Sequence, residues 1–186
     1  MSSGTKNVKK FYLDSSAYVK GFRNERYSEI VHDILEKSEQ GKLIVVISEW
    51  TLNECIAGLD KACHLKHIIP KEEMDDIIRD MLIYTHDYEG KGCIEIVQPE
   101  PGMIHKSVAF IRWYHLSADD ALHTVCAESR EVNALVLEDM HFSNMLKQPK
   151  KIEDPREEQC PKIQFKVLNL ADSNDYMELQ SIITNL

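Results

Sequence analysis

Carboxylates fall at four separated places in this sequence where they could act together. Asp14 closes the run F-Y-L-D, Glu54 ends S-E-W-T-L-N-E, Asp119 and Asp120 open A-D-D-A-L-H, and Glu138 and Asp139 follow A-L-V-L. Each has an ordinary structural reading. An Asp after a strand often caps a helix, Ser117-x-x-Asp120 fits a capping box, and a lone helix glutamate is usually solvated. Convergence would change that reading, because two carboxylates about 5 Å apart repel by on the order of 3 kcal/mol at an effective dielectric of 20. A cluster of this kind makes sense mainly as a site for hard divalent cations. Mg²⁺ and Mn²⁺ take oxygen ligands and keep several waters, which suits a few carboxylates in a shallow pocket.

The elements that would have to position these acids alternate along the chain. Residues 11–14, 43–47, 93–97, 134–137 and 163–168 are short apolar runs that read as strands, the second entered through Gly41. Helical periodicity covers 27–40, 49–67, 71–88 and 119–131, and a turn at 98–103 leads into a helix carrying Phe110, Trp113 and Tyr114. Short buried strands separated by helices predict an α/β fold, a mostly parallel sheet of about five strands with helices on both faces. Ligands bind such sheets outside the carboxyl ends of the strands. Asp14 and Asp139 follow strand ends directly, and Glu54 sits early in the helix after the second strand. The whole of 1–186 reads as one domain, with a tail over 1–9, a core over about 10–170, a charged loop over about 147–161 and a C-terminal helix over about 173–184.

Composition narrows the class further. With 186 residues, 43% apolar and 28% charged, the chain can bury roughly 70% of the surface its unfolded form exposes, so wholesale disorder is excluded. Five scattered cysteines without a C-x-x-C spacing fit reduced thiols, and no export signal or span is legible; a cytoplasmic protein is expected. A net charge of −9 argues against coating nucleic acid through a basic surface, so an anionic substrate would need metal ions or a local basic patch. Lys147, Lys150 and Lys151 form such a patch just after the last acids.

Other polar residues carry less. Cys63, His64 and His67 lack the second ligand pair of a structural zinc site. Ser15 and Ser16 follow Asp14 where a helix would begin; capping is their first reading, and holding water beside a metal the second. His123, one turn beyond Asp120, and His141 could touch a phosphate or orient a carboxylate. No Ser-His or Cys-His pair resembles an activated nucleophile.

The segments L-D-S-S-A, S-E-W-T-L-N-E, A-D-D-A-L-H and L-V-L-E-D-M-H-F together resemble, in order and spacing, the four acidic motifs of PIN-domain ribonucleases, the group that includes many toxin-antitoxin nucleases. The resemblance runs from about Phe11 to Phe142, with Leu137 where the family often has Ser or Thr. It implies a three-layer PIN-like sandwich and a Mg²⁺- or Mn²⁺-dependent hydrolase acting on RNA. Asp14, Glu54, Asp120 and Asp139 would be its catalytic and metal-holding acids, with Asp119 and Ser15 accessory. Lys147, Lys150 and Lys151 are the candidate RNA contacts. An antitoxin-like protein partner is implied as an option. A homodimer through Met74, Ile77, Ile78, Met81 and Leu82 is another, although packing on the chain's own sheet explains that face equally well. Two rival readings stand beside it. A haloacid-dehalogenase-like phosphatase would resemble D-x-D where this chain has Asp14-Ser15-Ser16. A PIN-like module that binds RNA or protein without cutting, in RNA or ribosome assembly, would keep the same fold.

Overall fold

The computed structural model describes residues 8–148 and 160–186. Five strands form one sheet: β1 (Lys9–Leu13), β2 (Leu43–Ser48), β3 (Ile94–Val97), β4 (Ala134–Leu137) and β5 (Lys166–Asn169). Their spatial order is β3-β2-β1-β4-β5, and every pairing is parallel. The sheet therefore has all its carboxyl ends along one edge. The chain builds outward from β1 to β3 on one side and then crosses to β4 on the other, so the topology reverses between β1 and β4, where parallel sheets open a crevice for ligands.

Two-residue alternation divides the strand side chains between two cores. Phe11, Leu13, Val45, Ile47, Ala134 and Val136 face one side; Tyr12, Val46, Leu135 and Leu137 face the other. The first face is covered by α1 (Ser15–Tyr18), α2 (Ser28–Glu39), α3 (Glu49–Asp60), α4 (Lys71–Gly90) and α8 (Ser173–Thr184), which contribute Tyr18, Ile34, Cys55, Met81 and Leu179 among others. The second is covered by α5 (Pro101–Tyr114), α6 (Ala118–Ser129) and α7 (Met140–Lys147), through Phe110, Tyr114, Val125, Cys126 and Phe142. Both layers are needed because β1 and β4 are apolar on both faces. The expected three-layer α/β architecture is the observed one.

Local chemistry sets the joints. Gly41, at φ +68°, makes the tight turn from α2 into β2. A 3₁₀ turn over Val19–Phe22 follows α1 and packs on α2, where Gly21 allows close approach: a Cβ there would lie 2.6 Å from Leu35 Cδ1. The helix expected over 49–67 is regular only to Asp60, continues as one wider turn over Lys61–Leu65, and ends at His67 with φ +52°. Cys63 is buried there while His64 and His67 are exposed. The apolar face of α4 packs within the chain: Met74 and Ile77 meet Leu59, Cys63 and Ile69, and Met81 joins the main core. The helix start expected after Asp14 is α1, only four residues long, whereas α7, eight residues long, was not anticipated.

Candidate active site at the carboxyl edge

Strand ends and helix starts bring the expected acids to this edge. Asp14 follows β1 and caps α1, its Oδ1 accepting from the Ala17 N–H at 2.9 Å and from the Ser16 hydroxyl at 2.8 Å. Ser16 in turn accepts from the Glu138 N–H at 2.7 Å, which ties the first acidic segment to the last across the β1–β4 crevice. Asp139 caps α7, with Oδ1 accepting from the Phe142 N–H at 2.9 Å. Its other carboxylate oxygen has no hydrogen-bond partner among the described residues. The capping readings hold for Asp14 and Asp139, and each carboxylate lies at the carboxyl edge.

Electrostatics relates these acids in pairs. Asp14 is only 5% exposed, and burial pushes its carboxyl up to about 6, opposed by His123 and by bonds from Ala17 and Ser16 and reinforced by Glu54. Asp120 is raised by burial and by the charge of Asp139, with Ser117 and His123 acting the other way. Asp14 thus feels Glu54, Asp120 feels Asp139, and His123 lies within the fields of Glu54, Asp14 and Asp120. Asp119 is exposed, and Asp120 rather than Asp119 takes the inward position on α6.

Glu54 stands differently from the sequence expectation. Its Oε2 is 2.6 Å from His123 Nε2. Burial pushes Glu54 up, but the His123 hydrogen bond and the imidazole charge, helped by nearby Ser15 and Trp50, outweigh it and hold the acid below its ordinary value. His123 is 3% exposed. Burial lowers its pKa, yet Glu54, Asp14 and Asp120 more than offset this and leave it raised. The other ring nitrogen, Nδ1, is 2.8 Å from the Tyr12 hydroxyl, which donates to Ser48 Oγ at 2.9 Å and lies 3.3 Å from Thr51 Oγ1. Ser48 and Thr51 form the reciprocal cap that starts α3 and so sets where Glu54 points.

Tyr12 is the site residue that sequence reasoning missed. The available signal was a phenol in the middle of an apolar strand, since a buried tyrosine hydroxyl needs a partner. His141 is exposed. Lys147 ends α7 and ion-pairs with Asp175 on α8 rather than standing free at the edge. Lys150 and Lys151 lie outside the described residues, as does most of the 147–161 segment. A buried cation also lies nearby: Lys20, 4% exposed, pairs with Glu138 at 2.5 Å and Glu25 at 2.9 Å.

The donor chemistry decides how a metal would fit. Among the described residues, no three His, Cys, Asp or Glu side chains converge closely enough to hold an ion between them, so the four-carboxylate cage expected from the sequence is not closed. Mg²⁺ commonly binds through only one or two carboxylates, with water and substrate phosphate completing its shell. Asp14, Asp120 and Asp139 offer oxygen donors suited to that kind of site, Asp14 buried, Asp120 half-buried and Asp139 exposed, and the charge of Asp139 bears on Asp120. Glu54, held by His123, sits beside it.

No protein-family model matches the sequence, and no curated protein matches it. Among solved structures, the chain is similar to VapC20 of Mycobacterium tuberculosis, described as a sarcin-ricin loop cleaving toxin. The TM-score is 0.51 and the identity 11%, over 72% of this chain and 93% of that one. At that identity the likeness is one of fold: the chain has the PIN-like α/β architecture of that toxin.

Proposed function

We propose that the chain is a Mg²⁺- or Mn²⁺-dependent ribonuclease that hydrolyses RNA phosphodiester bonds at the carboxyl edge of its sheet. What supports this reading is the placement of Asp14 and Asp139 after neighbouring strands at the carboxyl edge, with Asp120 near Asp139, and burial and neighbouring acids disfavouring charge on Asp14 and Asp120. A bound cation would reverse that penalty. The likeness in fold to a toxin that cuts an RNA loop favours RNA as the substrate class. When bound, the ion supplies Lewis acidity, making attacking water more acidic and neutralising charge on the phosphate. Asp14, Asp120 and Asp139 would hold it; the helix caps fix two of them, and Glu54 would act through water. In this reading the enzyme works in the cytoplasm, and an antitoxin-like protein is the partner class that the toxin resemblance implies.

Two measurements test it. Mg²⁺ or Mn²⁺ should raise the melting temperature of the wild type, by an amount corresponding to about 2.7 kcal/mol at a hundredfold excess over Kd, and raise it far less in Asp14→Asn. Cleavage of single-stranded RNA should fall by roughly a hundredfold, about 2.7 kcal/mol in the barrier, in Asp14→Asn, Asp120→Asn or Asp139→Asn. Asp119→Asn should be much milder than Asp120→Asn. Equal metal-induced shifts in wild type and Asp14→Asn, together with no cleavage, would decide for the second reading, a PIN-like module that binds without cutting. That reading draws on the absence of a three-ligand cluster among the described residues.

A further inference from the structure

Tyr12, His123 and Glu54 come from a strand, a helix of one layer and a helix of the other, and they meet in one hydrogen-bonded line through the end of the sheet. Tyr12 and His123 are 0% and 3% exposed. Their rings meet edge to face, with centroids 5.8 Å apart. Each link is short: Tyr12 hydroxyl to His123 Nδ1 at 2.8 Å, and His123 Nε2 to Glu54 Oε2 at 2.6 Å. The far end is anchored by Ser48 and Thr51, whose hydroxyls both lie against the Tyr12 oxygen. A helix-capping pair on α3 and a carboxylate on the next turn of the same helix are thereby joined through residues of two other elements.

This closed path does more than satisfy buried polar groups. An imidazole bonded at both nitrogens is fixed in ring orientation, and a carboxylate held through one oxygen by such a ring loses most of its rotamer freedom. We propose that Tyr12 and His123 are positioning residues for the edge site, orienting Glu54 so that its carboxylate faces the ground shared by Asp14, Asp120 and Asp139. Neither Tyr12 nor His123 touches substrate in this arrangement; both act through Glu54. The proposal rests on the ribonuclease reading and adds to it a supporting chain whose loss should weaken metal binding and slow the chemical step without abolishing RNA binding. Losses of ten- to a hundredfold are usual when partners that orient metal-site groups are removed.

The test uses the full chain and variants His123→Leu, His123→Gln and Tyr12→Phe, alone and combined with Glu54→Gln, with Asp14→Asn as reference. Manganese binding is followed by electron paramagnetic resonance in the absence of RNA, and single-stranded RNA cleavage is followed separately for kcat and KM. His123→Leu should weaken Mn²⁺ binding and lower kcat by ten- to a hundredfold with little change in KM. His123→Gln, which can still donate to Glu54, should recover part of both. Tyr12→Phe should show a smaller loss of the same kind. In the Glu54→Gln background, His123→Leu should cost little more, because it acts through the residue already changed. The metal-free protein gives a further readout: a downfield imidazole N–H proton resonance that disappears in Glu54→Gln.

Wild-type Mn²⁺ affinity and kcat in a folded His123→Leu, or losses that add in full to those of Glu54→Gln, would overturn the positioning role while leaving the ribonuclease reading intact. If His123→Leu does not fold, the same criteria apply to Tyr12→Phe and His123→Gln. A wild type that neither binds Mn²⁺ nor cuts RNA would instead overturn the ribonuclease reading, and the positioning role with it. The persistence of the downfield proton would then mark the hydrogen-bonded line as structural.

Discussion

Burial of Asp14 has a consequence for stability as well as for chemistry. Its folded carboxyl titrates at about 6, above the ordinary 3.8, so between those values the folded chain binds more protons than the unfolded one. Stability from this group is therefore greatest at the acid end of the window and is lost as pH rises through it. The rise corresponds to on the order of 3 kcal/mol at neutral pH. Asparagine caps a helix as well as aspartate does, so Asp14→Asn should be more stable than the wild type at pH 7 in chelated buffer, the advantage shrinking toward zero near pH 4. Denaturant melts across that range would check it, and a wild-type-to-variant difference independent of pH would contradict it. At this scale the sequence was informative about residue type but not about partners. The placement of Asp14, Asp120 and Asp139 was legible because each sits at a strand end or helix start, and that of Glu54 because it lies on the helix after β2. The pairing of Glu54 with His123, 69 positions apart, was not; it depends on how two helices on opposite faces of the sheet meet at its end.

Elements were more readable than their joints. The five strands and the longer helices follow from two- and 3.6-residue periodicity, and β4 spans the expected residues 134–137. The shift of β5 to Lys166–Asn169, from an expected 163–168, reflects pairing with β4, whose register runs Ala134 to Lys166 and Leu137 to Asn169. Helix α7 went unread because eight residues hold too few periods to show an apolar face, and α1, four residues long, was legible only as a capped start after Asp14; both exist because Asp14 and Asp139 cap them and the edge packs around them. The joint between β2 and α3 carries the most consequence. Ser48 is fully buried, closes the reciprocal cap with Thr51 and accepts from Tyr12. Ser48→Ala should cost about 1 to 2 kcal/mol, read as a lowered denaturant midpoint with an unchanged slope. A loss below a few tenths would mean that Thr51 alone sustains both the cap and the tyrosine.

At the scale of the molecule, acidity and substrate have to be reconciled. A chain with net charge −9 repels a phosphate backbone at long range, and a metal ion at the edge neutralises only the phosphates it touches. Fixed cations must hold the flanking ones. Of the three lysines that the sequence offers after the last acid, Lys147 is committed to Asp175, a contact that joins α7 to α8. Lys20 is committed to Glu25 and Glu138. If the chain cuts RNA as proposed, Lys150 and Lys151, which lie outside the described residues, are the cations of this cluster expected to meet the backbone. On single strands each lysine that neutralises a phosphate adds about 0.7 to the slope of log affinity against log salt. Lys150→Ala with Lys151→Ala should lower that slope by about 1.4, with little change in rate at saturating substrate. Lys147→Ala should leave the slope as it is and lower only thermal stability, and that modestly, because the ion pair is partly exposed. If Lys147→Ala lowers the slope and the double substitution does not, the ion pair with Asp175 opens when RNA binds, and the cation that meets the backbone is the one at the end of α7.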